Sequence, residues 1–319
     1  MLIITAKDYN SEILKDISKI PTEFCLVDHL NGFDPDKKNK LLDQINTLVA
    51  QNQREITIHV SYFFDDQIKK YYPYLNFKYC FDNEQRIFSQ FNNYSVHPDI
   101  KFKNFVCSFN KAAHVSRKLL VSIMQKFGYF NKDYCSKHFS YSENSVAGYI
   151  RDYTGTKERI YNKFFISNDS EEFFQSTLAS EYEYQHDLNI KYLENKITES
   201  FIHIVSETMA TSSYPYITDK FFYSIVTRGL FLAYAQPGWH SYLENNFGFQ
   251  KYNKIFDYKF DSIENPVERL VELMCMISKF KFLSADDWHD LYRIESPTIE
   301  YNYDHYFSGQ YLNNLLNHN

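Results

Sequence analysis

Glycine and proline are scarce in this chain, eight of each in 319 residues. Nothing matches a G-x-x-x-x-G-K-[ST] phosphate loop, a G-x-G-x-x-G dinucleotide fingerprint or a G-x-S-x-G nucleophile elbow. Neither H-E-x-x-H nor H-x-E occurs, which excludes the common helix-borne zinc spacings. The five cysteines, Cys25, Cys80, Cys107, Cys135 and Cys275, are odd in number and widely spaced, with no C-x-x-C. They read as buried reduced thiols, not as a disulfide framework. No apolar run approaches the ~20 residues that span a bilayer. Residues 1–5 are apolar but are followed by Lys7 and Asp8, without the length or charge order of a signal peptide. A cytoplasmic protein with no membrane span is the expectation, and the sequons at Asn93 and Asn168 then carry no meaning. Positive charge is not in excess either. Against 40 acidic residues stand 34 basic ones, a net charge of −6, so bulk electrostatics would not drive the chain onto nucleic acid or an anionic membrane.

What the chain has in abundance is Tyr and Phe, 28 and 29 residues. Asn and Lys are frequent too, the codon bias of an AT-rich genome, viral genomes included, so an exposed aromatic is weak evidence for a site. The length leaves room for two modest domains with real cores. Strands are expected at residues 2–5, 23–27, 55–60 and 77–81, with helices at 37–51, 65–72 and 84–91. This alternation predicts a small parallel sheet with helices on both faces. The polar stretch 92–103, with Pro98, reads as a linker, giving domains 1–98 and 99–319. A second αβ series opens with a strand at 104–108 and a helix at 115–127 stopped by Gly128. A weak strand at 134–139 follows, then a short helix at 144–152, a strand-like stretch at 160–166 and a capped helix beginning at 170. Residues 183–199 are too polar to place. Pro266 starts an amphipathic helix over 266–280, and two terminal helices are expected within 285–319.

The stretch 201–261 carries the densest chemistry. An apolar strand, 201–205, ends in Ser206–Glu207–Thr208. A loop leads to Thr218–Asp219–Lys220, a helix over 221–227 with Gly229 as its cap, and a strand over 230–235 that runs into Gln236–Pro237–Gly238. Ligands of βαβ units sit at the carboxyl ends of the strands. A carboxylate there can accept from ribose hydroxyls, and a lysine at a helix start can hold phosphate. The plainer readings are an N-cap for Thr218 and Asp219, a solvated loop carboxylate for Glu207 and an exposed helical arginine for Arg117.

The order Glu207, then Tyr216–Ile217–Thr218–Asp219–Lys220, an apolar strand and a Pro–Gly turn resembles the donor-binding half of fucosyltransferase-like glycosyltransferases. Their motif reads E-N-S, a spacer, Y-[IV]-T-E-K, a helix, a small residue and an apolar strand. Residues 105–110, with Ser108 and Asn110, then Arg117, Gly128 and Tyr134, are similar to the strand, Ser-Asn and helical Arg that open the same domain. Asp219 stands where the motif has Glu, Ser206–Glu207–Thr208 replaces E-N-S, and Phe109 splits Ser108 from Asn110. The likeness covers about two thirds of the chain and none of the first hundred residues.

The resemblance implies an α/β fold of the GT-B kind, two Rossmann-like αβ domains facing a cleft, with C-terminal helices. It implies a metal-independent transfer of fucose or a related hexose from a nucleotide sugar, which could be GDP-linked, to a glycan or other hydroxyl acceptor, with no further cofactor. Asn110, Arg117, Glu207, Thr218, Asp219 and Lys220 would bind the donor. Lys220 would contact the phosphates, Asp219 the ribose, and Arg117 the charge growing on the departing diphosphate. A base is also needed to take the acceptor proton. Asp28, at the end of the strand 23–27, is the preferred candidate, with Asp65 second. No acidic pair suits a metal. Asp34–Pro35–Asp36 reads as a turn and Asp286–Asp287 as a helix cap, while His203 reads as a packed core imidazole. Two rivals remain. One is a catalytically silent αβ nucleotide-binding protein. The other is a glycosyltransferase acting on modified DNA bases, which the local cluster Lys101, Lys103, Lys111, Arg117 and Lys118 would permit.

Overall fold

The computed structural model describes residues 2–5, 20, 22–27, 40–60, 71–79, 100–110, 115–137, 193–207, 210, 217 and 220–311. The chain divides into two units, Met1–Ser89 with Ser212–Tyr214, and Gln90–Thr211 with Pro215–Asn319. Both are built on small parallel sheets.

In the first unit the strands are β1 (Leu2–Thr5), β2 (Glu23–Val27), β3 (Ile56–Val60) and β4 (Leu75–Tyr79). They lie side by side in simple succession, all parallel, with Leu2 opposite Phe24, Glu23 opposite Thr57 and Ile56 opposite Leu75. Helix α1 (Lys40–Asn52) joins β2 to β3 and buries Leu42, Ile45 and Val49, the apolar stripe expected of a 3.6-residue period. Of the connections between these four strands, α1 is the only complete helix among the described residues. Strand β4 also starts two residues earlier than its apolar pattern suggested, because the buried Leu75 is the residue that pairs with Ile56. The expected helix at 84–91 lies outside the described residues, as do Asp28, Asp65 and nearly all of the helix at 65–72.

The second unit contains β5 (Asn104–Asn110), α2 (Val115–Lys126), β6 (Cys135–Lys137), a helical stretch at 193–198 and β7 (Ser200–Ser206). Then come α3 (Lys220–Val226), β8 (Phe231–Tyr234), α4 (Trp239–Phe247), a 3-10 turn (Tyr258–Ser262), α5 (Pro266–Ser278) and α6 (Ala285–Phe307). Here the parallel order is β6-β5-β7-β8. From β5 the chain steps outward to β6, and β7 then returns to the other side of β5. With right-handed crossovers this reversal sends α2 and α3 to opposite faces. On the α3 face, Ser224 Oγ lies 2.6 Å from His203 Nδ1 and the Phe221 ring packs on Phe231. Helix α5 packs on α2, and α6 on α3.

The core of this unit is strand β7 and its surroundings. Phe201, Ile202, Ile204 and Leu232 are fully buried, each such side chain contributing about 1.5–3 kcal/mol. Trp288 of α6 stacks on Phe201 with ring centroids 5.8 Å apart, and donates Nε1–H to Phe280 O. Gly128 has φ 67 and stops α2 as the sequence predicts. Gly229 does not do the same for α3. The left-handed residue is Arg228, φ 55. Gly229 N–H bonds Ser224 O at 2.7 Å and Arg228 N–H bonds Ile225 O at 3.1 Å, a Schellman closure with arginine at its turn. The last described helix is a single 23-residue element despite Pro297. Helical backbone begins again at 310, and its continuation lies outside the described residues. No described helix is long and apolar enough to cross a membrane.

Candidate functional site

In an open parallel sheet, ligands sit at the carboxyl edge where the strand order reverses. Between β5 and β7 that edge is built of polar residues. Ser108 Oγ–H donates to Ile204 O at 2.9 Å, and Asn110 Nδ2–H donates to Ser108 Oγ at 3.1 Å, so the two strand ends are laced together by side chains. Pairing of Val106 with Ile202 and Cys107 with His203, continued along the strands, sets Asn110 level with Ser206. Ser206 in turn pairs with Tyr234 of β8. Asn110, Ser206 and Tyr234 thus form a lateral row across three strand tips, on one face, all at most 1% exposed. Ser206 Oγ has no hydrogen-bond partner among the described residues. Glu207, next in the chain, is fully buried and its N–H bonds Tyr234 O at 3.0 Å.

Two helices start at this edge. The first turn of α2 carries Ser116 and Arg117, each 4% exposed. Arg117 is therefore not the exposed helical arginine of the plainer reading. Lys220 opens α3 and is half-buried. Four residues expected to bind a donor, Asn110, Arg117, Glu207 and Lys220, belong to strand ends and helix starts of this one edge, with α2 and α3 flanking it from opposite faces. Thr218, Asp219 and Asp28 lie outside the described residues. The proposed basic cluster does not survive folding as a patch. Lys101 and Lys103 precede β5, while Arg117 and Lys118 follow it, a separation of about 20 Å along a seven-residue strand. Lys103 pairs with Glu199 at 2.5 Å, and Lys111 lies outside the described residues.

Sequence reasoning missed Arg269. This α5 side chain is 2% exposed and donates to Ala235 O at 3.0 Å, Glu264 O at 3.0 Å and Ala210 O at 2.6 Å, and also to Ile263 O. It ties the segment after β7 to the segment after β8. The available signal was a charged residue beside Leu270 and Leu273 on an otherwise apolar helix face. The pair His240–Asp261 was also missed. Ala233 N–H donates to His240 Nε2 at 3.0 Å, so the imidazole carries its proton on Nδ1 and gives it to Asp261 Oδ1 at 2.8 Å. Asp261 further accepts from His240 N–H, Ser241 N–H and Ser241 Oγ. Burial raises the Asp261 carboxyl, but His240 and these donors outweigh it and hold the group at about 2. With both ring nitrogens occupied, His240 has no lone pair to offer a substrate, and the pair anchors the start of α4 beside β8.

Comparison with protein-family models, with curated proteins and with solved structures found no match. The site must speak through its own chemistry. Burial keeps His203 neutral, its imidazole lowered to about 3. It is a core residue, as the sequence indicates. Burial raises the Cys135 thiol to about 12, and burial with the neighbouring Cys135 raises Cys107 well above its usual range, so neither is a nucleophile at neutral pH. Among the described residues no three His, Cys, Asp or Glu side chains gather as a metal site. The edge offers amide, hydroxyl, one carboxylate, two buried guanidinium groups and helix N-termini, a set suited to binding an anion joined to a polyol.

Proposed function

We propose that the chain is a nucleotide-sugar-dependent glycosyltransferase whose second unit binds the donor. The observation that carries this reading is the strand-order reversal between β5 and β7, with Asn110 and Glu207 on its two tips and Arg117 and Lys220 at the helix starts beside them. In the reaction, the bond between the anomeric carbon and the phosphate oxygen breaks, and the nucleoside diphosphate leaves with the electron pair. The acceptor oxygen bonds the anomeric carbon and its proton passes to a general base. Arg117 and Lys220 supply positive charge to the leaving group without a metal. Glu207 accepts from hydroxyls of the sugar or ribose.

The test is a thermal-shift panel of nucleotide sugars on the full chain, followed by steady-state turnover with the sugar that binds. Lys220→Ala is expected to weaken donor binding by about 1.5–3 kcal/mol. Arg117→Ala is expected to lower kcat more than it raises KM, the mark of a contact strengthened in the transition state. A panel in which no nucleotide sugar and no nucleoside diphosphate raises the melting temperature sinks the proposal. The burial of Asn110, Arg117 and Glu207 favours one second reading, a nucleotide-binding protein without turnover. Saturable binding with no transfer to any acceptor, and no hydrolysis, would select it.

A further inference from the structure

We propose that one phosphate of the ligand's diphosphate is held on the α2 side of the sheet, between the first turn of α2 and the row Asn110–Ser206–Tyr234, with Ser206 Oγ–H donating to a phosphate oxygen. This rests on the nucleotide reading above and assigns which half of the site takes that phosphate. Strand alternation places Ser206 on the same face as Ser108 and Asn110, opposite to the face of His203 that α3 covers. One row further in stand Ser108, Ile204 and Leu232, all fully buried, and there the Ser108 hydroxyl is satisfied by Ile204 O. A hydroxyl 1% exposed and without a partner among the described residues is costly in a dry core and needs an explanation. A ligand oxygen supplies one.

The surrounding charge has the matching sign. Helix α2 has twelve residues and α3 seven, and unsatisfied N–H groups at a helix start attract anions. Arg117 lies in the first turn of α2, and Arg269 reaches the same edge from α5, which packs on α2. Arg269 also fixes the backbone that follows the row, at Ala210 after β7 and Ala235 after β8. Glu207 alternates to the α3 face, where a carboxylate repels phosphate and suits hydroxyls. The ligand thereby straddles the β7 tip, with the phosphate bonded by Ser206 toward α2, the polyol toward Glu207, and the rest of the diphosphate crossing the tip toward Lys220 at the start of α3.

The experiment uses sodium pyrophosphate, GDP, UDP and ADP as probes, read by melting temperature and calorimetric titration, with three variants. Ser206→Ala removes the hydroxyl. Ser206→Cys keeps the volume with a weaker donor. Ser122→Ala is the control, because Ser122 of α2 is also a buried hydroxyl without a partner among the described residues. Both alanine variants are expected to melt at or above the wild-type temperature without ligand, since each removes an unsatisfied group. Only the Ser206 variants are expected to lose affinity for pyrophosphate and the diphosphates, Ser206→Ala by about ten-fold or more. Wild-type affinity in Ser206→Ala, an equal loss in Ser122→Ala, or no binding of any probe to the wild type overturns the inference. The two proposals fail separately. Ser206-dependent diphosphate binding without sugar transfer removes the transferase and leaves this inference standing, whereas undiminished turnover in Ser206→Ala does the reverse.

Discussion

A methyl group on Gly229 would stand 2.5 Å from Ile197 Cγ2, closer than real side chains approach. Gly229→Ala is expected to cost about 1–3 kcal/mol through overpacking, read as a lower denaturation midpoint with unchanged slope. Arg228 next to it is the residue with left-handed backbone, and it is held by α6. Its Nε–H reaches Glu300 at 2.9 and 3.0 Å, and the guanidinium lies 3.5 Å from the centre of the Tyr303 ring. Arg228→Gly relieves the backbone by about 1 kcal/mol but forfeits contacts worth about as much, so near-neutral stability is expected, and Arg228→Ala should be the worse of the two. Destabilisation by Arg228→Gly beyond about 2 kcal/mol would show that the α6 contacts dominate. Asp261 makes a pH prediction. Its folded-state pKa lies below the unfolded value, so its stabilisation is fully present above about pH 4 and is lost as pH falls toward about 2. The depression comes from His240 beside the carboxylate and from the hydrogen bonds donated by His240 and Ser241. Asp261→Asn should flatten the acid limb of a stability–pH curve, and an unchanged acid limb would remove Asp261 from that account. At this scale the sequence made polar tips visible but not their neighbours. Arg269 went unseen because its partners, the carbonyls of Ala210 and Ala235, have no side-chain signature.

Among the elements, α6 holds a proline that removes the N–H owed to Arg293 O. Ser296 Oγ–H donates to that carbonyl at 3.0 Å, and Lys254 Nζ donates to the neighbouring Ile294 O at 3.1 Å. Glu295 lies between them, fully buried, its Oε1 accepting Lys254 N–H at 2.6 Å and Ile255 N–H at 3.2 Å. The proline therefore sits where the helix is already clasped by the loop after α4. Pro297→Ala restores the helical bond and is expected to raise stability by about 1–3 kcal/mol. A lowered melting temperature would mean that the loop contacts at Glu295 depend on the proline geometry. Strands β1, β2, β5 and β7 and helices α2 and α5 were legible because apolar period and start or stop residues agreed, Pro266 opening α5 and Gly128 closing α2. The cap of α3 was misread because composition favours glycine in a left-handed turn and cannot see Ile197 above it. The start of β4 was misread because register depends on Ile56 in another strand.

For the molecule as a whole, the alternation of strands and helices made an α/β class legible in each half, while the strand order was not. Nothing local distinguishes the one-way succession β1-β2-β3-β4 from the reversal β6-β5-β7-β8, yet only the reversal creates a crevice at strand tips. Asn110 and Glu207 were legible as candidates through their place at strand ends, and Ser206 as a binding group was not, since its value depends on an empty hydrogen-bonding capacity that appears only after packing. Positive charge at the candidate site comes from side chains and helix starts, so the proposed transfer is expected to persist in the presence of a strong chelator, and its abolition with the fold intact would require a metal. The Trp288 stack on Phe201 bears on how the protein is made. Residues are synthesised from the N-terminus, and β5, β7 and β8 leave the ribosome before Trp288 exists. Until α6 follows, Phe201 lacks the Trp288 indole and Arg228 lacks Glu300 and Tyr303. A nascent or prematurely terminated chain ending before residue 288 would expose that aromatic surface, and should be a chaperone client or an insoluble fragment, while a chain that includes α6 seals it.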